Sequence, residues 1–272
     1  MAKFNLENVQ NSPLAQGRVV LPEALRQGTP VGPRLVGGTR FAGKAAMDAA
    51  QIQILARACL QGLDAARQVV FGWQRQGQSL EDIYMHGITP CARLLGVWWS
   101  EDRLDFAMVT IASTHLQQLL HDFSDEFLEE NVRVHNGCSL LLLTEPGAQH
   151  SMGLFMLSEF FKRAGWTVCT GVSPTEADFK RLCHSDWFDA VGVSVSTDRH
   201  LGAIAGILSR LPDSAPNPRV HPFVGGPMAF VAPELMATMG CEVLALDAAA
   251  TVEHIQSVVA EAGAWGAKPA PH

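Results

Sequence analysis

Glu145-Pro-Gly-Ala-Gln-His-Ser-Met-Gly153 stands between two runs of different periodicity. Before it, Cys138 to Leu143 is continuously apolar, short and β-compatible, which predicts a buried strand. After it, apolar residues recur with helical spacing from Gly153 to Arg163. A strand, a short loop and a helix start form the mouth of an open α/β sheet, the place where such sheets bind ligands. His150 stands in this loop. Neutral imidazole is a common metal ligand, although most lone histidines near a helix start are solvated or capping groups. The pattern downstream decides for the ligand.

From Cys138 onward, strands and helices alternate. Strands are expected at Leu140 to Leu143, Thr167 to Thr170, Ala190 to Val195, Val220 to Val224 and Val243 to Leu246. Amphipathic segments at 151–164, 175–185, 199–211, 230–239 and 249–262 separate them. The alternation predicts a flavodoxin-like, doubly wound, five-stranded parallel sheet. Right-handed crossovers then bring the ends of the first, third and fourth strands to one edge. Three loops share that edge. One carries His150. The second, Gly192-Val-Ser194-Val-Ser196-Thr197, offers small hydroxyl residues that suit a deep slot. The third holds Gly225 and Gly226, which let backbone approach a ligand closely or simply serve a tight turn. Together they suit a large metal-centred cofactor with a buried tail.

Upstream, the pattern is helical. Ile52, Leu55, Ala56, Cys59, Leu60 and Leu63 share one face, extended by Val69, Val70 and Trp73. Ser79 and Asp82 form a capping box for the next helix. Pro90 predicts a break or kink. Leu104 to Phe123 is a further helix, with Phe106, Val109, Leu116, Leu119 and Leu120 inward. These segments predict a four-helix bundle over 45–130, followed by an α/β domain over 138–263. Residues 1–44, broken by glycine and proline, read as a flexible arm, and 264–272 as a tail.

The chain has 272 residues, a net charge of -7 and six scattered cysteines without a Cys-x-x-Cys pair. The acidic balance argues against broad contact with phosphate backbones. The cysteines read as reduced, buried thiols of a cytoplasmic protein. No signal core and no transmembrane run is present, so no membrane association is expected.

His150-Ser-Met-Gly153, Ser194-Val-Ser196 and Gly225-Gly226 resemble the pattern of the cobalamin-binding domain family: Asp-x-His-x-x-Gly, a Ser-x-Leu or Ser-x-Thr element, then a Gly-Gly pair. The resemblance implies that His150 binds cobalt from below in place of the cofactor's own benzimidazole. It implies that the tail enters a slot beside Ser194, Ser196 and Thr197, with Gly153, Gly225 and Gly226 lining the site. Leu95-Gly-Val-Trp-Trp99 is similar to the helical cap of methionine synthase-like and CarH-like proteins, which implies that Trp98 or Trp99 covers the upper cobalamin face. The stretch from Trp99 to Thr110, together with Leu116-Gln-Gln-Leu119 and Gln149-His150, resembles AerR/PpaA-type regulators. These are light-responsive, cobalamin-binding antirepressors that act on a PpsR/CrtJ-type repressor of pigment genes.

Two departures from the family matter. The carboxylate two residues before the histidine is replaced by Ala148, so the imidazole lacks its usual orienting partner unless Glu145 or Thr144 supplies one. Val109 and Thr110 stand where CarH-like caps have a Glu-His pair. His86, His115, His121 and His135 lie in or near the cap region. The expected function is that of a sensory regulator without enzyme activity, working through a protein partner rather than by autonomous DNA binding. The alternatives are a corrinoid methyl carrier and a haem-binding redox sensor of the same fold.

Overall fold

A computed structural model describes residues 47–130, 135–148, 152–173, 175–245 and 247–262. The expected arm at 1–44 lies outside these residues, as does the tail. The chain divides into two compact units, one ending at Asp122 and the other starting at Phe123.

The first unit is helical: α1 (Ala49–Gln61), α2 (Leu63–Arg75), α3 (residues 80–100) and α4 (Phe106–Asp122). Asp48 opens α1 with a capping box. Its carboxylate accepts the Gln51 N–H at 2.8 Å, and the Gln51 side chain accepts the Asp48 N–H at 3.0 Å. The apolar stripe that predicts one long helix is cut after Gln61. Gly62 takes φ 150°, a conformation that favours glycine, and the chain restarts as α2. At Pro90 the opposite happens. Helix α3 runs without a break from Leu80–Asp82 through a π-helical stretch, Ile83–Ile88, into Thr89–Ser100. The wider turn accommodates a proline that has no N–H to give and a ring that crowds the preceding turn. Tyr84 O takes the Thr89 N–H, and its hydroxyl as well at 2.9 Å. Ser79 caps α3, accepting the Asp82 N–H at 3.0 Å.

The bundle core holds Leu55, Cys59, Val70, Leu80, Ile83, Tyr84, Ile88, Leu95, Leu116, Leu119 and Leu120, all with no exposed surface. Each such side chain contributes roughly 1.5–3 kcal/mol of burial. Phe106, expected inward, is 73% exposed. At about 100° per residue it lies roughly a quarter-turn around α4 from the mean of Leu116, Leu119 and Leu120.

The second unit begins with α5 (Ser124–Glu129), a helix inside the 45–130 span that the sequence assigns to the bundle. It packs on α6 (Met152–Arg163). Phe127 meets Phe160 with ring centroids 5.0 Å apart, and Arg163 lies 4.5 Å over the Phe127 ring. The Ser124 hydroxyl donates to the buried Glu159 carboxylate, which also takes Lys162 Nζ at 2.8 Å.

The sheet comprises β1 (Ser139–Thr144), β2 (Thr167–Gly171), β3 (Ala190–Ser194), β4 (His221–Gly225) and β5 (Glu242–Val243). All are parallel, in the order β2-β1-β3-β4-β5. This is the flavodoxin-like order expected from the alternation. Leu140 to Leu143 are at most 3% exposed, because a central parallel strand is covered on both faces. Helices α7 (Glu176–Cys183) and α8 (Leu201–Leu208) bury Phe179, Ile204 and Leu208 against Leu141, Leu143, Val191, Val193 and Val224. Helix α6 contacts β1, and α12 (Ala248–Glu261) contacts α6. Between α8 and β4 lies α9 (Leu211–Ser214). The expected helix at 230–239 is three short pieces: α10 (Pro227–Val231), α11 (Pro233–Met236) and a 3-10 turn, Ala237–Met239. Pro233 cannot continue the ladder of α10. Cys59, Cys91, Cys138 and Cys183 are buried free thiols, whereas Cys169, on the edge strand β2, is exposed.

Strand β5 pairs over only two residues, and a side-chain clasp supplements it. Glu242 accepts from His221 of β4 and from His254 of α12, both at 2.6 Å. Burial pushes the Glu242 carboxyl up, but the two imidazole hydrogen bonds and their charge outweigh it, so the group sits below its ordinary value. A carboxyl depressed in the folded state stabilises above its unfolded pKa, and that stabilisation fades as pH falls through the folded value. Glu242→Gln is therefore expected to cost about 1 kcal/mol at neutral pH. Urea unfolding of the two proteins should converge only as pH falls below the ordinary carboxylate range, through the depressed folded value at which the wild-type carboxyl takes up its proton.

Candidate functional site

The strand order reverses between β1 and β3, and the crevice at their carboxyl ends is the topological switch point. Register brings Thr144, Ser194 and Gly225 into one row across β1, β3 and β4. The next row back is Leu142, Gly192 and Phe223. Side chains alternate along a strand. Because Leu141, Leu143, Val191, Val193 and Val224 face α7 and α8, these two rows belong to the opposite face, that of α6 and α12.

Glu145 closes the row. It is 3% exposed, and both carboxylate oxygens are engaged by the loop after β3. Ser196 N–H donates to Oε1 at 3.1 Å; Thr197 N–H and hydroxyl donate to Oε2 at 3.3 and 3.1 Å. Backbone bonds continue the lacing: Glu145 N–H to Ser194 O at 3.0 Å, and Gly147 N–H to Ser173 O at 2.9 Å. Of the two groups that could stand in for the carboxylate missing at Ala148, Glu145 is thus occupied elsewhere. Thr144 is different. Its Oγ1 is fully buried and has no hydrogen-bond partner among the described residues. A buried hydroxyl without a partner carries a penalty of about 1–3 kcal/mol, which a ligand acceptor can relieve.

The loops after β3 and β4 interlock. Val195 N–H donates to Gly225 O at 2.9 Å, and Met228 N–H to Val195 O at 3.1 Å. Gly226 has φ 91°, and a Cβ built on it would lie 2.7 Å from Ser194 Oγ and 2.8 Å from Val195 N and O. The missing side chain of Gly226 therefore makes room for the protein's own β3 loop, not only for a ligand. Around Gly153, in the first turn of α6, a Cβ would meet nothing within 4 Å. That side of the helix start is open.

Ser194, Ser196, Thr197, Gly225 and Gly226 are thus gathered at one edge, with Gly153 at the start of α6. His150, the expected cobalt ligand, lies outside the described residues, with Gln149 and Ser151. Trp98 and Trp99 belong to the helical unit. Trp98 is 5% exposed, its ring capped by the Arg103 guanidinium at 4.8 Å, and Trp99 is half-buried. Of the histidines near the cap, His115 bonds Cys59 O at 2.7 Å, His135 bonds the Thr167 hydroxyl at 2.7 Å, and His86 is exposed. Sequence reasoning gave Glu145 only an orienting role and passed over Phe223. A glutamate directly after an apolar strand is the signal for the first, since a charge placed there is buried by the next loop. The Gly192 to Phe223 pairing has no local signal, because it is a cross-strand contact.

Glu145→Ala leaves the Ser196 and Thr197 amides without their acceptor. The variant is expected to lose about 2–3 kcal/mol of stability. Amide exchange should accelerate at Ser196 and Thr197 while Val191 and Val193, held by the strand ladder, stay protected.

Comparison with known proteins places this geometry. Residues 139–256 match the B12 binding domain family. An uncharacterized 20.5 kDa protein in the bchF-crtJ intergenic region of Rhodobacter capsulatus is 29% identical over 179 residues, covering 66% of this chain and 93% of that protein. Among solved structures, the Methanosarcina barkeri monomethylamine corrinoid protein is similar with a TM-score of 0.64 at 12% identity, over 78% of this chain and all of that one. A cobalamin-binding protein from Desulfitobacterium hafniense matches with a TM-score of 0.39 at 15% identity, over 78% and 98% of the two chains. The sheet unit has the Rossmann-like fold of corrinoid proteins, and the part of it from 139 to 256 is a match to the B12 binding domain family.

Proposed function

We propose that this protein is a cobalamin-binding, light-responsive regulator that acts through a protein partner, a PpsR/CrtJ-type transcriptional repressor, and has no enzyme activity of its own. The observation that carries the reading is the missing carboxylate at Ala148, combined with the commitment of Glu145 to Ser196 and Thr197. A ligating imidazole whose other nitrogen lacks a carboxylate partner is less basic and less firmly oriented. A cobalt bond of that kind exchanges readily, which suits a sensor better than a methyl carrier. The Rhodobacter relative supports the regulatory direction, because its description sets it in the bchF-crtJ intergenic region.

The residues present fit a corrinoid. His150 would hold the cobalt. Ser194 and the Thr144 hydroxyl, which has no partner among the described residues, would receive the polar part of the tail, and none of the described residues closes the space beside Gly153. When bound, the cofactor supplies a cobalt–ligand bond that light can break. The chain's own part is to orient the imidazole, exclude water from the tail and favour one protein conformation when the cobalt ligand changes. That bias must be differential, since equal affinity for both states shifts no population. A tenfold change in partner affinity needs about 1.4 kcal/mol. The second reading is a corrinoid methyl carrier, which the fold of the monomethylamine corrinoid protein accommodates. Haem on the same imidazole is the other cofactor to test.

His150→Ala is expected to lower cobalamin affinity at least about tenfold and to shift the absorption spectrum to that of the form without a protein ligand. Ala148→Asp should tighten binding by about tenfold by restoring an imidazole partner. An unchanged spectrum and affinity in His150→Ala would remove the ligand assignment, and haem bands instead of corrin bands would change the cofactor. Repressor binding by the full chain loaded with cobalamin, in darkness and after illumination, is expected to differ by at least about tenfold. Equal affinity in both, with methyl transfer to a thiol acceptor, would replace the regulator by the carrier.

A further inference from the structure

On the α6 face of the sheet, one row below Thr144, Ser194 and Gly225, stand Leu142, Gly192 and Phe223. Gly192 is the middle residue of that row. A Cβ built on it would lie 2.3 Å from Cζ and 2.7 Å from Cε2 of Phe223, and 2.8 Å from Cδ2 of Leu142. The Phe223 ring therefore leans sideways across β3 and fills the place where a residue 192 side chain would stand. Phe223 is 2% exposed, so the ring is packed in the interior at this level of the sheet. Two residues of strand separate the rows by roughly 6.6 Å. One row nearer the strand ends stand the buried Thr144 hydroxyl, without a partner among the described residues, and the Ser194 hydroxyl beside Gly226. The layers differ in chemistry: hydroxyls above, and a phenyl ring flanked by leucine below.

We propose that Phe223, folded over Gly192, sets the depth of the tail slot and thereby selects among corrinoids by the size of their lower base. The proposal rests on the corrinoid reading above. Thr144 and Ser194 offer hydrogen bonds to the polar atoms of a nucleotide tail, and the phenyl floor meets the apolar edge of a flat nitrogen base. A base longer than the slot would have to displace a ring that is already wedged between Leu142 and the Gly192 backbone. Cores and slots at this density do not yield to added bulk without strain. A corrinoid without nucleotide or base makes none of these contacts.

Absorbance titrations of the full chain test this with three corrinoids. These are cobalamin, cobinamide (the same corrin without nucleotide or base) and a cobamide carrying the longer naphthimidazole base. Wild type is expected to bind cobalamin at least about tenfold tighter than either of the others. Phe223→Leu removes the ring and should bring the naphthimidazole cobamide to within a few-fold of cobalamin. Gly192→Ala forces the ring upward into the slot and should cut the preference for cobalamin over cobinamide by about tenfold. Cobinamide affinity should be unchanged in both variants, and it reports on folding, because a misfolded variant loses all three ligands together. Should Gly192→Ala misfold, Phe223→Leu alone decides. Three corrinoid affinities whose ratios do not move in Phe223→Leu overturn the proposal, as does a wild type that binds cobalamin and cobinamide equally. A wild type that binds none of the three overturns the corrinoid reading itself.

Discussion

A carboxylate buried at the carboxyl edge of a parallel sheet has to be hydrogen-bonded or it destabilises its surroundings by several kcal/mol. Glu145 meets that constraint by drawing down the loop after β3, taking two amides and a hydroxyl from Ser196 and Thr197. Much of the site depends on this one group. It keeps the end of β1 beside the β3 loop, and the β3 loop in turn is laced to the β4 turn through Val195. The row of Thr144, Ser194 and Gly225 is presented on a surface whose backbone is tied at each strand end. Among the described residues, the Glu145 carboxylate is thus committed to the β3 loop.

The parts of the fold that local sequence determines were readable. Leu140 to Leu143 must be a strand covered on both faces, and the alternation downstream of it permits few topologies once crossovers are right-handed. The bundle was harder, for opposite reasons at two positions. Gly62 sits in an unbroken apolar stripe, yet its backbone leaves helical geometry. Pro90 reads as a breaker, yet a π-turn carries the helix through it. At Gly62 the low helix propensity of glycine, about 1 kcal/mol, prevails over the apolar stripe, whereas at Pro90 the helix continues despite a preference of about 3 kcal/mol against proline.

The candidate site divides along the same line. Small hydroxyls and glycines at strand ends are visible as residue types at a spacing. Their partners are not, because Glu145 to Thr197 and Gly192 to Phe223 are contacts between segments 52 and 31 residues apart. Trp98 has a packing role that its sequence context leaves open. Its type and place suggest a cofactor contact, while within its own unit it is a core residue stacked by Arg103.

Gly226 carries a consequence for how such chains diverge. Its positive φ and the 2.7 Å approach to Ser194 Oγ make any other residue strained there, whether or not a ligand is ever bound. Whatever happens to the residues around it, position 226 is held to glycine by the closeness of the chain's own loops. The paired glycines therefore record the architecture of the sheet edge, and the ligand-facing positions record the chemistry. The two can part company without any change in fold.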